Sequence, residues 1–170
     1  YIIIMKKTLI ILSTIVVLTT ITTKTASAHC EVPCGIYNDE LRIELIKEHI
    51  QTIEKAMNQI TEIQSSEVIN YNQLVRWINT KEEHANQIQE IAEQYFLTQR
   101  VKFAEPEDGE KYTKYVTQLA LLHQLIVYSM KSKQSTDLKY IENLNKSLIS
   151  FEIAYFGKDA HRHDIKGEHK

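Results

Sequence analysis

Cysteine, proline, glycine and tryptophan are scarce in this chain of 170 residues, which contains two, two, four and one of them. With only two cysteines the chain lacks a disulfide framework, so a domain of this length must rely on an apolar core. We also find no alternating apolar pattern of useful length and no internal repeat. Strands and repeat architectures are therefore not expected.

Residues 1–28 have the features of a secretory signal peptide. A basic start is followed by an apolar run over residues 8–21 and by a small-residue cleavage site at residues 26–28. The run is shorter than the roughly 20 apolar residues of a membrane-spanning helix, so a cleaved leader is favoured over an uncleaved anchor. We predict an exported protein, secreted or periplasmic, that a signal peptidase trims to begin at His29.

A surplus of basic residues is also absent. The whole chain has 20 Lys and Arg against 22 Asp and Glu, and the leader contains three lysines and no acid, so cleavage moves the net charge from −2 to 17 − 22 = −5. Nucleic acids and anionic membranes demand clustered basic residues, so neither is expected as a partner. This charge also provides no overall attraction for an anionic substrate, and any attraction has to be local.

Four stretches of the mature chain carry apolar residues at alternating steps of three and four, which places them on one side of a helix. The first seam consists of Ile43, Ile46, Ile50, Ile53, Met57 and Ile60. The second consists of Ile78, Ala85, Ile88, Ala92 and Tyr95, and Lys81 interrupts it. The third consists of Tyr112, Val116, Leu119, His123, Ile126 and Met130. The fourth consists of Leu138, Ile141, Leu144, Leu148, Phe151 and Tyr155.

Short connections at residues 62–72, 101–110 and 131–136 join these helices, and short connections favour antiparallel neighbours. We predict an all-α fold, an up-down four-helix bundle over residues 38–157. Asn38 or Asp39 suits its first N-cap, and Gly157 suits its last helix end. Residues 158–170 contain three histidines but no apolar seam, and are predicted to be a disordered tail.

The segment before the bundle, residues 29–37, reads His-Cys-Glu-Val-Pro-Cys-Gly-Ile-Tyr and contains both cysteines. Cleavage before it would expose a free amine beside an imidazole and two thiolates, a nitrogen-and-sulfur ligand set for a transition metal. The alternative is a disulfide between Cys30 and Cys34. So short a loop would stabilise the domain little, because the gain rises with loop length.

The string His-Cys-x-x-Pro-Cys-Gly-x-Tyr, at a processed N-terminus and before a four-helix domain, resembles the metal hook of nickel superoxide dismutases. Residues 79–85, 94–96 and 122–125 and the aromatic end of the fourth helix are similar to helical segments of that family in the same order. The resemblance covers residues 29–156.

By this resemblance, nickel is held by the amine of His29, the backbone nitrogen and thiolate of Cys30, and the thiolate of Cys34. The His29 imidazole is an axial ligand in the oxidised state. The implied cofactor cycles between Ni(II) and Ni(III), and Tyr37 stands over the open metal face, so the implied catalytic set is His29, Cys30, Cys34 and Tyr37. An ordinary packed aromatic at a helix start is the other interpretation of Tyr37.

In the family, a glutamate on the first helix and an arginine on the second hold the axial imidazole. Residues 42–44 match the glutamate segment, with a connection from Tyr37 that is one residue shorter, so Glu44 is the candidate. The arginine has no counterpart, because His84 occupies its position. Glu44 equally suits a solvated carboxylate and His84 a boundary histidine, whereas His123 is expected to be a core histidine.

The resemblance implies a superoxide dismutase that converts two superoxide anions and two protons to dioxygen and hydrogen peroxide, and that assembles as a homohexamer. Two other interpretations remain from the residues alone. One is an exported helical binding module with a Cys30–Cys34 disulfide. The other is a metal-delivery protein that uses the same hook without turnover.

Overall fold

A computed structural model describes residues 4–7 and 38–157. Residues 4–7 form a helical turn that belongs to a separate compact unit. The second range contains α1 (Asp39–Gln64), α2 (Tyr71–Glu90), α3 (Glu110–Gln134) and α4 (Lys139–Phe156). A π-helical segment, Ile91–Arg100, continues α2 directly, and a 3-10 turn, Pro106–Asp108, precedes α3. Neither range contains a strand, and no helix in them is both long and apolar enough to cross a bilayer.

Successive helices run antiparallel, because residue numbers rise along one helix as they fall along its neighbour. The bonded pairs are Asp39–Arg100 and His49–His84 on the α1 and α2 side, Lys81–Ser132 and Gln89–Ile126 between α2 and α3, and Gln118–Ala154 and Ser147–Gln124 between α3 and α4. Contacts between α1 and α4 close the ring. The predicted all-α, up-down four-helix bundle is therefore confirmed for residues 38–157.

The two predicted helix ends of the bundle are also confirmed. The side-chain oxygen of Asn38 accepts hydrogen bonds from the backbone N–H groups of Glu40, at 3.1 Å, and Leu41, at 3.4 Å. These bonds satisfy donors that the first helical turn leaves without partners. At the other end, Gly157 adopts a φ of 94°, a conformation that side chains with a Cβ rarely accept.

The apolar seams of α1 and α4 form most of the core, as predicted. All six residues of the first seam are buried, and so are Ile141, Leu144, Leu148 and Phe151 of the fourth. The prediction is wrong for Leu138 of the fourth seam and for Ile78 on α2, which are 40% and 37% exposed. Lys81 packs into the core, and its ammonium donates hydrogen bonds to carbonyls at the end of α3, including that of Ser132 at 2.9 Å.

The predicted seam of α3 is wrong by about one residue. Val116 and Met130 are 42% and 41% exposed and His123 is exposed, so His123 is not a core histidine. The buried residues of this helix are Gln118, Leu122, Leu125, Ser129 and Ser132. The helix is apolar on several sides, and two of its buried positions are small serines. A search for apolar residues therefore selects a neighbouring face.

Candidate functional site

Only part of the predicted site falls within the described residues. The hook residues His29, Cys30, Cys34 and Tyr37 lie outside them, as do most of the leader and the tail 158–170. Glu44 and His84 are described. The predicted hook directly precedes Asn38 in the chain, so the described residues nearest to it in sequence are those at the end of the bundle where α1 begins.

A hydrogen-bonded cluster surrounds the first residue of α1. The carboxylate of Asp39 accepts hydrogen bonds from the hydroxyls of Tyr95 and Tyr155, the latter at 2.8 Å, and from Nη2 and Nε of Arg100 at 2.6 and 3.2 Å. The Asp39 side chain is only 13% exposed. This Asp39 cluster, consisting of Asp39, Tyr95, Arg100 and Tyr155, ties the start of α1 to the ends of the π-helical segment and α4.

The π-helical turn is what brings Tyr95 and Arg100 together. Residues five apart in an α-helix are rotated by about 140° from each other, whereas the i→i+5 bonding of a π-helix brings them onto one side. Val101 N–H donates to the carbonyl of Phe96 at 2.8 Å, one such bond. The apolar seam predicted an ordinary α-helix here, so the Asp39 cluster was not foreseen. The spacing of apolar residues does not distinguish a π-helix from an α-helix.

The protonation states in the Asp39 cluster are held by its own hydrogen bonds. Burial acts to raise the pKa of Asp39, but bonds from Arg100, Tyr95 and Tyr155 outweigh it, so this pKa lies below its ordinary value. Burial and the bond to Asp39 raise the pKa of Tyr95 to about 12 and also raise that of Tyr155. At neutral pH the cluster is thus one carboxylate facing one guanidinium and two neutral hydroxyl donors.

Two arginines lie at this end of the bundle, although the arginine that the family places on the second helix is replaced by His84. Arg100 bonds to Asp39, and the guanidinium of Arg42 lies 5.1 Å from the ring centre of Tyr95. Such stacking of a cation on an aromatic face is favourable. Arg42 lies within the matched segment 42–44, a signal that sequence analysis attributed only to Glu44.

Glu44 is on the outer side of α1. Its side chain is 54% exposed and forms an ion pair with Lys47 at 2.8 Å. Because Glu44 directly follows Ile43 on the helix, it is turned away from the buried seam by about 100°. This exposed position suits a surface carboxylate as well as a group that contacts the hook. No hydrogen bond joins Glu44 to His84 within the described ranges.

His84 instead pairs with His49, which sequence analysis did not single out. The Nδ1 atoms of the two rings are 2.9 Å apart, and the rings meet edge to face. One nitrogen must donate and the other accept, so at least one ring is neutral. Burial and the charge of His84 lower the pKa of His49. The pair lies about 15 Å along α1 from Asp39, since ten residues separate Asp39 from His49.

Comparison with known proteins identifies one matching family model, described as nickel-containing superoxide dismutase, over residues 24–159. No curated protein and no solved structure matches the chain significantly. Within residues 4–7 and 38–157, no three His, Cys, Asp or Glu side chains come together as a metal-binding group. The family match spans the hook and all four helices of the bundle.

Proposed function

The chain belongs to the nickel-containing superoxide dismutase family, and we propose that residues 29–37 form its nickel site. As a member it is an oxidoreductase with a nickel cofactor that disproportionates superoxide into dioxygen and hydrogen peroxide. The family match, which includes the whole hook and the whole bundle, is the observation that carries this conclusion.

The donor groups of the hook fit nickel. His29 offers an amine and an imidazole, Cys30 a backbone nitrogen and a thiolate, and Cys34 a second thiolate. Nitrogen and thiolate donors in this number suit the tetragonal geometry of nickel(II), and chelation by adjacent groups favours loss of the amide proton. Bound nickel supplies one-electron redox chemistry between its divalent and trivalent states. Tyr37 would order substrate and water at the bound metal.

Maturation by a signal peptidase is part of this proposal, because the amine of His29 exists only after residues 1–28 have been removed. An uncleaved chain has an amide at that position, and an amide nitrogen is a much poorer ligand unless it is deprotonated. We place the mature protein outside the cytoplasm, periplasmic or secreted, on the basis of the same leader.

The start of α1, which directly follows the hook in the chain, is held in place by contacts with the rest of the bundle. Asn38 caps α1, and the next residue, Asp39, is held by three partners from two other segments. Since an extended chain advances by at most about 3.6 Å per residue, the Cα of Cys34 is within about 14 Å of that of Asn38. Chain connectivity therefore supports a nickel site at this end of the bundle.

Glu44 and His84 remain the proposed partners of the His29 imidazole. Glu44 is accessible on α1 and has only the flexible Lys47 as an ion-pair partner, so it can reorient toward the hook. His84 would have to exchange its bond with His49 for one with His29. We therefore expect Glu44→Gln to alter the pH profile of turnover more than His84→Gln.

Two exposed apolar stripes support assembly into a homo-oligomer, which we propose to be a hexamer. Ile149, Ile153 and Phe156 follow one another at helical spacing on α4 and are 37–45% exposed. Tyr71, Val75 and Ile78 form a similar stripe on α2, at 37–69% exposure. Contiguous apolar side chains on a surface are typical of protein interfaces. Light scattering of the mature protein measures the subunit number directly.

The nickel-site proposal is tested with two forms of the protein that differ by one residue. One begins at His29 and the other carries an additional alanine before it. We expect the first to bind one nickel per chain and to consume superoxide, and the second to lose nearly all turnover. A Cys30→Ser variant with the correct N-terminus should also lose turnover. Full activity of the extended form would contradict the role of the amine.

A further inference from the structure

A pocket of about 740 Å³ lies at the end of the bundle where α1 begins. Its walls come from the end of the π-helical segment, the loop before α3, the first turns of α3 and the end of α4. Four of its lining side chains are cationic, and we call this site the basic pocket after them. They are Arg100, Lys102, Lys111 and Lys114.

Three of these four cations have no ion-pair partner among the described residues. Arg100 pairs with Asp39, but Lys114 donates only to a neutral carbonyl, that of Tyr155, at 3.2 Å. Lys102 and Lys111 are exposed and have no hydrogen bond or ion pair among the described residues. The ammonium groups of Lys102, Lys111 and Lys114 therefore line the pocket without an ion-pair partner in the described part of the chain.

The acidic side chains near the pocket offset these lysines only in part. Asp108 is the one acid among the lining residues, and its carboxylate accepts a hydrogen bond from the backbone N–H of Glu105 at 3.1 Å. Glu105, Glu107 and Glu110 lie nearby, between the loop and the first residue of α3, but they are exposed and do not line the pocket. An anion inside the pocket is closer to the lining ammonium groups than to these carboxylates, and the shorter distance gives the stronger interaction.

The aromatic part of the wall strengthens the local field. Phe103 and Tyr115 meet edge to face, with ring centres 5.5 Å apart, and both line the pocket. Apolar surfaces of this kind have a low dielectric constant, so field lines from neighbouring cations concentrate in the cleft. A small anion entering the pocket is therefore attracted, even though the mature chain has a net charge of −5.

The pocket adjoins the end of the bundle that bears the hook. Arg100 and Tyr155 line the pocket and also bond to Asp39, which is two residues after Tyr37. We propose that the basic pocket captures superoxide and other small oxyanions and raises their concentration beside the nickel site. This inference rests on the proposed function, because it assumes that the hook at this end of the bundle is the reaction centre.

Binding is tested with inorganic phosphate, a stable oxyanion, titrated into the nickel-loaded mature protein and followed by NMR shifts of the pocket residues. The variant is Lys102→Gln/Lys111→Gln, whose two lysines are exposed, so its fold should be retained. The control is Lys55→Gln, which is matched to a Lys102→Gln single variant because each removes one positive charge, and Lys55 lies about 24 Å along α1 from Asp39. We expect phosphate affinity to fall at least about fivefold in the double variant, and to stay unchanged in the control.

Substrate capture is tested by measuring kcat/KM for superoxide at several ionic strengths. At low salt we expect the double variant to be about three- to tenfold slower than the wild type and to depend less on salt, as for electrostatically steered reactions. The Lys55→Gln control should match the wild type. Equal rates and salt dependence in the double variant and the control would overturn the proposal while leaving the dismutase function intact. Absence of turnover in every nickel-loaded form, with phosphate binding retained, would instead refute the nickel-site proposal on which this inference rests.

Discussion

Replacing Asp39 with asparagine tests whether the Asp39 cluster stabilises the end of the bundle that bears the hook. The substitution keeps the size of the side chain and one acceptor oxygen. It removes the negative charge that faces Arg100, and its amide nitrogen cannot accept from either tyrosine hydroxyl. The perturbation is thus confined to the charge and the hydrogen bonds of Asp39.

The expected loss follows from the number and environment of these bonds. A hydrogen bond to a charged group contributes about 1.5–3 kcal/mol when buried, and Asp39 is 13% exposed. Arg100 is 35% exposed, so water replaces part of what its guanidinium loses. We expect the free energy of unfolding to fall by about 2–3 kcal/mol. For a domain of this size that lowers Tm by about 6–10 °C.

The assay is thermal and urea unfolding of the mature protein followed by circular dichroism. Asp137→Asn is the matched control, because Asp137 also lies beside a helix start and pairs with a cation, Lys139, at 2.7 Å, but is 45% exposed. Exposed pairs of this kind contribute about 0–1 kcal/mol. If both variants lost the same small amount, the Asp39 cluster would not be a stabilising element.

The difference between wild type and Asp39→Asn should depend on pH. In the folded protein the pKa of Asp39 is lowered from its ordinary value of 3.8. The stabilisation from the ionised carboxylate is therefore fully present above about pH 4 and is lost as the pH falls through the lower, folded-state pKa. The two proteins should approach equal stability toward the acid end of the titration, and a constant difference would contradict this pKa assignment.

Three further predictions concern the bundle itself. Lys81→Met should cost about 2–4 kcal/mol in urea unfolding, because the carbonyls at the end of α3 lose their buried donor; a loss below about 0.5 kcal/mol would contradict this role. Leu122→Ala should cost about 2–5 kcal/mol and Val116→Ala less than about 0.5 kcal/mol, whereas the reverse order would restore the originally predicted face of α3. His49 should titrate below its ordinary pKa of 6.5 in NMR spectra, since burial and His84 disfavour its charged form. Stability should accordingly fall as the pH drops below about 6.5, and His49→Gln should lessen that fall.

For the site, as for the fold, residue spacing in the sequence predicts local features but not contacts between distant parts of the chain. The hook was predicted from nine consecutive residues, because its proposed ligands are adjacent in the chain and need no folded partner to be recognised. The contacts of Asp39, Arg100 and Arg42 at the end of the bundle next to the hook were not predicted. Each acts through contacts with distant residues, and single-sequence patterns carry no information about such contacts.

The sequence by itself predicted the hook and its proposed ligands, and it determined the number of helices, most of the buried seams of α1 and α4, and the ends of the bundle at Asn38 and Gly157. All of these depend on residues within a few turns of one another, where helical periodicity and backbone preferences act. The same logic failed on α3, since an apolar surface on several sides does not specify which side is buried.

Only the tertiary structure decided what surrounds the hook end of the bundle. The partners of Asp39 are 56, 61 and 116 residues away in the chain. They meet because the helices run antiparallel and because a π-helical turn rotates Arg100 onto the side of Tyr95. The basic pocket lies at the same end of the bundle, but its three lysines all come from residues 102–114, and closure of the bundle adds the wall from α4 that contains Tyr155.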